Sequence, residues 1–119
     1  MAKILVIDDE PSIGEEFKII LQGDGHQVDV ALGGEEAVRK IQQNPYDLVF
    51  LDVLLPRMEG REIFEKIKSV SEVPIAVMSG YMPQHKEKEV LALGAVACLR
   101  KPIDLNSIKN LVNSVSPKE

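Results

Sequence analysis

Residues able to do chemistry sit just after short apolar runs. Asp8 and Asp9 follow Ile4 to Ile7, Asp52 follows Leu48 to Leu51, Ser79 and Gly80 follow Ile75 to Met78, and Lys101 lies just past Val96 to Leu99. If the first and third runs are neighbouring strands, Asp8, Asp9 and Asp52 meet within a few ångströms. Like charges that close need a cation or protonation to be tolerated. Mg²⁺ is the natural counter-ion, because it takes oxygen ligands and serves phosphate chemistry, and no His or Cys lies near these acids in the sequence to favour zinc or copper. Such a group suits phosphoryl transfer onto Asp52. A carboxylate is a competent nucleophile, and Mg²⁺ together with the Lys101 ammonium would neutralise the phosphoryl oxygens. Ser79 would hydrogen-bond the product, and Gly80 would leave space for a donor approaching along the line of attack.

The elements that must carry these residues follow from the apolar pattern. The runs Ile4 to Ile7, Val28 to Ala31, Leu48 to Leu51, Ile75 to Met78 and Val96 to Leu99 are apolar throughout more than alternating, as expected of parallel strands covered on both faces. Between them lie helical stripes. Ile13, Phe17, Ile20 and Leu21 follow Pro11 and stop at Gly23 and Gly25, while Ala37, Val38 and Ile41 precede Asn44-Pro45. Ile63, Phe64 and Ile67 follow Gly60, and a more polar helix is predicted from Gln84 to Leu93, capped at Gly94. Leu105, Ile108, Leu111, Val112 and Val115 form the last stripe, with Asp104 as its cap and Ser116-Pro117 as its end. Alternation of strand and helix predicts an α/β fold, a doubly wound five-stranded parallel sheet with helices on both faces. Ligands of such sheets bind beyond the carboxyl ends of the strands, where the acids, Ser79 and Lys101 are placed.

Composition narrows the function further. The 119 residues make one domain, 1–119, with an ordinary globular balance of 45% hydrophobic and 28% charged residues. Nineteen acidic against fourteen basic side chains give a net charge of -5, which argues against direct nucleic-acid binding. The longest nearly apolar stretch, Val90 to Leu99, is far short of the ~20 residues of a membrane span. A single Cys98 forms no internal disulfide, His26 and His85 form no zinc-type cluster, and the N-terminus does not look like a signal peptide. A cytoplasmic protein with no membrane contact is expected.

With these residues in view, the chain resembles the receiver domain of two-component response regulators. The resemblance rests on Asp8-Asp9-Glu10-Pro11, the segment from Asp52 to Gly60, Ser79-Gly80 and Lys101-Pro102, in the right order over nearly the whole chain. It implies a flavodoxin-like sheet of strand order 2-1-3-4-5 and an aspartyl-phosphate switch. By the same resemblance Asp52 is the phosphoacceptor, and Asp8, Asp9, Asp52 and the backbone carbonyl of Leu54 hold Mg²⁺. Ser79 becomes the switch hydroxyl, Lys101 the phosphoryl contact, and Lys101-Pro102 a candidate cis bond. The implied partners are a sensor histidine kinase or phosphotransfer protein and a downstream protein, with a phosphorylation-linked dimer as a further expectation. The domain is then an acceptor that takes part in its own phosphorylation and dephosphorylation, not an enzyme in the usual sense.

Three departures from the family pattern bear on this. Glu59 stands where Asp is common, and Cys98 stands where an aromatic residue usually couples to the switch hydroxyl. No output domain is expected, so the phosphorylated state would act through contacts with another molecule. Tyr81-Met82-Pro83, the helix after it, and the last strand and helix are the expected docking surface. Two other functions compete. One is a docking module set by protein contact alone. The other is a small enzyme or cofactor domain on a similar fold, but Asp8-Asp9-Glu10 would repel a flavin phosphate, and Glu10 stands where an aspartate-nucleophile phosphatase carries a second Asp. Blander roles are also open. The acids would cap a helix, Ser79 would bond nearby backbone, Lys101 would be solvated, Met58, Met78 and Met82 would fill gaps, and Cys98 would be a small buried strand residue.

Overall fold

Each apolar run becomes a strand and each stripe a helix in the computed structural model, which describes residues 1–53, 60–80 and 83–116. In chain order the elements are β1 (Lys3–Ile7), α1 (Pro11–Gln22), β2 (Gln27–Ala31), α2 (Gly34–Gln43), β3 (Leu48–Asp52), α3 (Gly60–Val70), β4 (Ile75–Ser79), α4 (Gln84–Ala92), β5 (Ala97–Arg100) and α5 (Leu105–Val115). The strands form one sheet in the order β2-β1-β3-β4-β5, with every pairing parallel. Strand order reverses at β1 and β3, where α/β sheets open a crevice at their carboxyl edge.

The sheet divides the core in two. Successive side chains of a strand point to opposite faces. Thus Ile4, Val6, Leu48, Phe50 and Met78 pack with Phe17 and Leu21 of α1 and Ile108 and Val112 of α5. On the other face Leu5, Ile7, Val49, Leu51 and Val77 pack with Ala37 and Ile41 of α2 and Ile63, Phe64 and Ile67 of α3. β3 and β4 are buried at every position, which explains why their sequences do not alternate. Full burial of a Leu, Ile or Phe is worth about 1.5–3 kcal/mol, so these central strands anchor the carboxyl edge. Phe17 and Phe50 add a tilted aromatic pair with centroids 4.9 Å apart. At the opposite end of the strands, the Lys3 amide donates to Asp47 Oδ2 at 2.8 Å and the Tyr46 hydroxyl donates to Asp29 Oδ2 at 2.7 Å. Burial, followed by the bond to Asp29 and its charge, pushes the Tyr46 hydroxyl well above the usual range, so it remains a donor.

Local details refine the sequence expectations. Pro11 opens α1 as expected, but no side chain caps that helix, so Asp8 and Asp9 do not serve as its caps. Asp104 occupies the N-cap position of α5 without a side-chain capping bond, and its carboxylate accepts the Ser107 hydroxyl at 3.4 Å. α4 ends at Ala92, with Leu93 as the cap and Gly94 following at φ +112°, a conformation glycine adopts without a Cβ penalty. Val96 is 49% exposed and precedes β5, whose first paired residue is Ala97. Cys98 is only partly buried, against the expectation of a buried strand residue, because β5 is an edge strand with no fully buried position. Met78 is a core residue, whereas Met58, Met82 and Pro117 lie outside the described residues.

α1 approaches β2 closely at Gly14, where an added Cβ would lie 2.7 Å from Val30 Cγ2 and 2.9 Å from Cγ1. Val30 is β-branched and stiff, so it yields poorly. Overpacking of about 1–3 kcal/mol outweighs the helix-propensity gain of up to about 1 kcal/mol. Gly14→Ala is therefore expected to lower the stability read by urea unfolding by about 1 kcal/mol. The loss should shrink in a Val30→Ala background; an equal loss there would place its origin elsewhere.

Candidate functional site at the carboxyl edge

The parallel register builds the site. Ile7 pairs with Leu51, so the next residues, Asp8 and Asp52, emerge side by side from β1 and β3. Asp52 pairs with Met78, which brings Ser79 to the adjacent step of β4. Ser79 pairs with Arg100, and the Lys101 amide donates to the Ser79 carbonyl at 2.8 Å, carrying the ladder one residue past β5. Residues far apart in sequence are thus held by backbone bonds of the two most buried strands and their neighbours. The Lys101-Pro102 bond is cis, as the resemblance implies.

Asp8, Asp9 and Asp52 each present a carboxylate oxygen within 4.8 Å of the others. Asp8 is 0% and Asp52 4% exposed, while Asp9 lies at the surface. Buried carboxylates need partners, since desolvation costs several kcal/mol per ion. The Lys101 ammonium donates to Asp8 Oδ2 at 2.8 Å and to Asp52 Oδ2 at 3.3 Å. Desolvation alone would lower the Lys101 ammonium, but the hydrogen bond to Asp8 and the charges of Asp52 and Asp8 outweigh it. The net shift is upward, so Lys101 stays charged at neutral pH. The Glu10 amide donates to Asp8 Oδ1 at 3.0 Å, which fixes that carboxylate. This role of Glu10 was missed by sequence reasoning, although an Asp followed two residues later by a free amide is a familiar local hydrogen-bonding pattern.

Among the described residues one ammonium contacts two of the three carboxylates, which leaves an excess of negative charge and an all-oxygen donor set. Those properties fit a divalent hard cation. Ser79 is fully buried, and a Cβ built at Gly80 would meet nothing within 4 Å, so packing does not demand a glycine and the space beside it is open. Leu54 and Glu59 lie outside the described residues, as do Tyr81 and Met82. Cys98, at the position where an aromatic residue was expected, places its Sγ 3.9 Å from the Glu87 carbonyl of α4. Burial, then the charge of Glu87, raises that thiol above its ordinary value, so it stays protonated and suited to donate.

Known proteins share this fold and sequence pattern. The CpxR homolog of Haemophilus influenzae, a transcriptional regulatory protein, is 35% identical over 104 residues, covering 87% of this chain and 45% of that protein. The response regulator ArlR of Staphylococcus saprophyticus is 29% identical, over 91% of this chain and 49% of its own. The chain therefore spans about half the length of these curated relatives. A two-component response regulator from Clostridium difficile has a similar structure, with a TM-score of 0.91 at 31% identity, covering 97% of this chain and 95% of that one. The response regulator TrrA of Thermotoga maritima, crystallised in complex with Mg²⁺-BeF, gives a TM-score of 0.84 at 32% identity, over 98% and 100% of the two chains. Residues 4–113 match the family described as the response regulator receiver domain, and the chain belongs to that family.

Proposed function

We propose that this receiver domain accepts a phosphoryl group on Asp52 and passes the change to a protein partner. The observation that carries this reading is the buried Asp52 carboxylate beside Asp8, with one lysine ammonium touching both. Response regulators serve phosphorelay signalling, and a relative's complex with Mg²⁺-BeF supports the same chemistry here. A docking module set by contact alone would have no use for three carboxylates and an ammonium gathered at one edge.

In the proposed reaction a carboxylate oxygen of Asp52 attacks phosphorus. The new O–P bond forms as the P–N bond to a phosphohistidine breaks, and the imidazole leaves with that electron pair. Lys101, already charged, exchanges part of its contact with Asp52 for the incoming phosphoryl oxygens. Ser79 donates its hydroxyl to the phosphorylated product. Asp8, Asp9, Asp52 and the backbone carbonyl of Leu54 would hold Mg²⁺, which supplies neutralising charge for the transferring group. Asp8 is oriented for this by the Glu10 amide. The domain is an acceptor in its own modification, not a catalyst for a separate substrate.

Its partners are a sensor histidine kinase or phosphotransfer protein upstream and an effector protein downstream, in the cytoplasm, without direct nucleic-acid contact. The exposed Leu91, Leu93 and Val96 around α4 and β5 offer an apolar face for the effector or a second copy. No helix among the described residues is long and apolar enough to cross a membrane.

Acetyl phosphate is expected to label the protein in Mg²⁺ and not in excess chelator, and Asp52→Asn should abolish labelling as read by intact mass. Label persisting in that variant would move the acceptor to another residue. Lys101→Ala should still take up phosphate but show smaller amide chemical-shift changes than wild type; an undiminished response would remove Lys101 from the switch. Asp9→Asn relieves like-charge repulsion without breaking the Lys101 pairs. Its melting temperature in chelator should equal or exceed wild type, and the increment gained on adding Mg²⁺ should shrink. An unchanged Mg²⁺ increment would exclude Asp9 as a ligand.

A further inference from the structure

α4 differs from the other helices in what holds it. It buries none of its residues, and Val90 is its one side chain packed against the core cluster on its side of the sheet. Leu91 is 42% exposed, on a helix whose apolar residues gather at one end rather than along one face. Among the described residues its remaining ties to neighbours are polar and converge on two glutamates. Arg61, from the first turn of α3, donates through Nη1 to Glu89 Oε1 at 3.1 Å while its Nε is held by Glu65 at 3.1 Å. Arg100, from β5, places Nη2 3.6 Å from Glu87 Oε2. The Cys98 thiol reaches the backbone carbonyl of the same Glu87.

We propose that α4 is a charge-clamped element, held in place by Arg61 and Arg100 gripping Glu89 and Glu87 from its two neighbours, and able to leave the sheet without disturbing the rest of the core. Exposed ion pairs are individually weak, about 1.5- to 5-fold each in an equilibrium. That is small beside the burial anchoring α3 or α5, but comparable with the little apolar contact α4 makes. Loss of the clamp therefore shifts α4 selectively. Ion pairs at this exposure are also screened by salt, because the Debye length falls from about 30 Å at 0.01 M to about 3 Å at 1 M. α4 begins shortly after the strand end that carries Ser79, so the clamp acts close in sequence to that hydroxyl. The clamp would operate whether or not Asp52 takes a phosphoryl group.

Hydrogen exchange read by mass spectrometry tests this on the whole chain without phosphodonor. In low salt, Arg61→Gln and Arg100→Gln should each speed exchange in the α4 peptide by about 1.5- to 5-fold, and the double variant more, while α1 and α5 peptides stay near wild type. Raising salt should speed α4 exchange in wild type and leave the double variant unaffected. Exchanging the partners, with Glu87→Arg and Arg100→Glu together, should restore protection that either change alone removes. Unchanged α4 exchange in the double variant, or an increase shared equally by α1 and α5, would overturn the clamp.

Discussion

The pairing of β1 with β3 is the constraint on which the site depends. Parallel register at Ile7 and Leu51 forces the next two side chains, both carboxylates, into adjacent buried positions. Like charges so placed oppose folding, and among the described residues the Lys101 ammonium is the cation that offsets part of that repulsion. The fold tolerates the arrangement because the strands beneath it are buried on both faces, with helices clamping the sheet from each side. Apolar packing beneath the site offsets the cost of assembling charge, and the residual negative charge suits the crevice to a divalent hard cation.

Burial is unevenly distributed across the sheet. β1, β3 and β4 are nearly solid hydrophobic, whereas β5 lies at the edge with no fully buried residue and α4 packs on it through few apolar atoms. The charged site is attached to both regions. Asp8, Asp52 and Ser79 belong to the buried centre, while Lys101 follows β5, the edge strand that leads to α5.

Cys98 shows how the periphery can be rewired without altering the centre. At the place where the resemblance implies an aromatic side chain, the thiol reaches the Glu87 carbonyl. The same glutamate accepts Arg100 through its carboxylate, so backbone and side chain of one α4 residue are both tied to β5.

The amino-acid order by itself determined the elements and the identity of the acids, Ser79 and Lys101 as candidates. Continuous apolar runs mark strands covered on both faces, 3.6-residue stripes mark helices, and chemically costly residues at run ends stand out because local structure gives them no reason to be there. Boundaries moved by a residue or two at α4 and β5, where weak amphipathicity left little pattern to read. Tertiary structure alone decided that Asp8 rather than Asp9 is buried, that Lys101 bridges Asp8 and Asp52, that Asp104 does not cap its helix through its side chain, and that Arg61 and Arg100 meet α4. Those outcomes depend on strand register and on the approach of elements remote in sequence. Side-chain periodicity reports which face a residue occupies, whereas distance and solvent access arise only once the faces have been packed together.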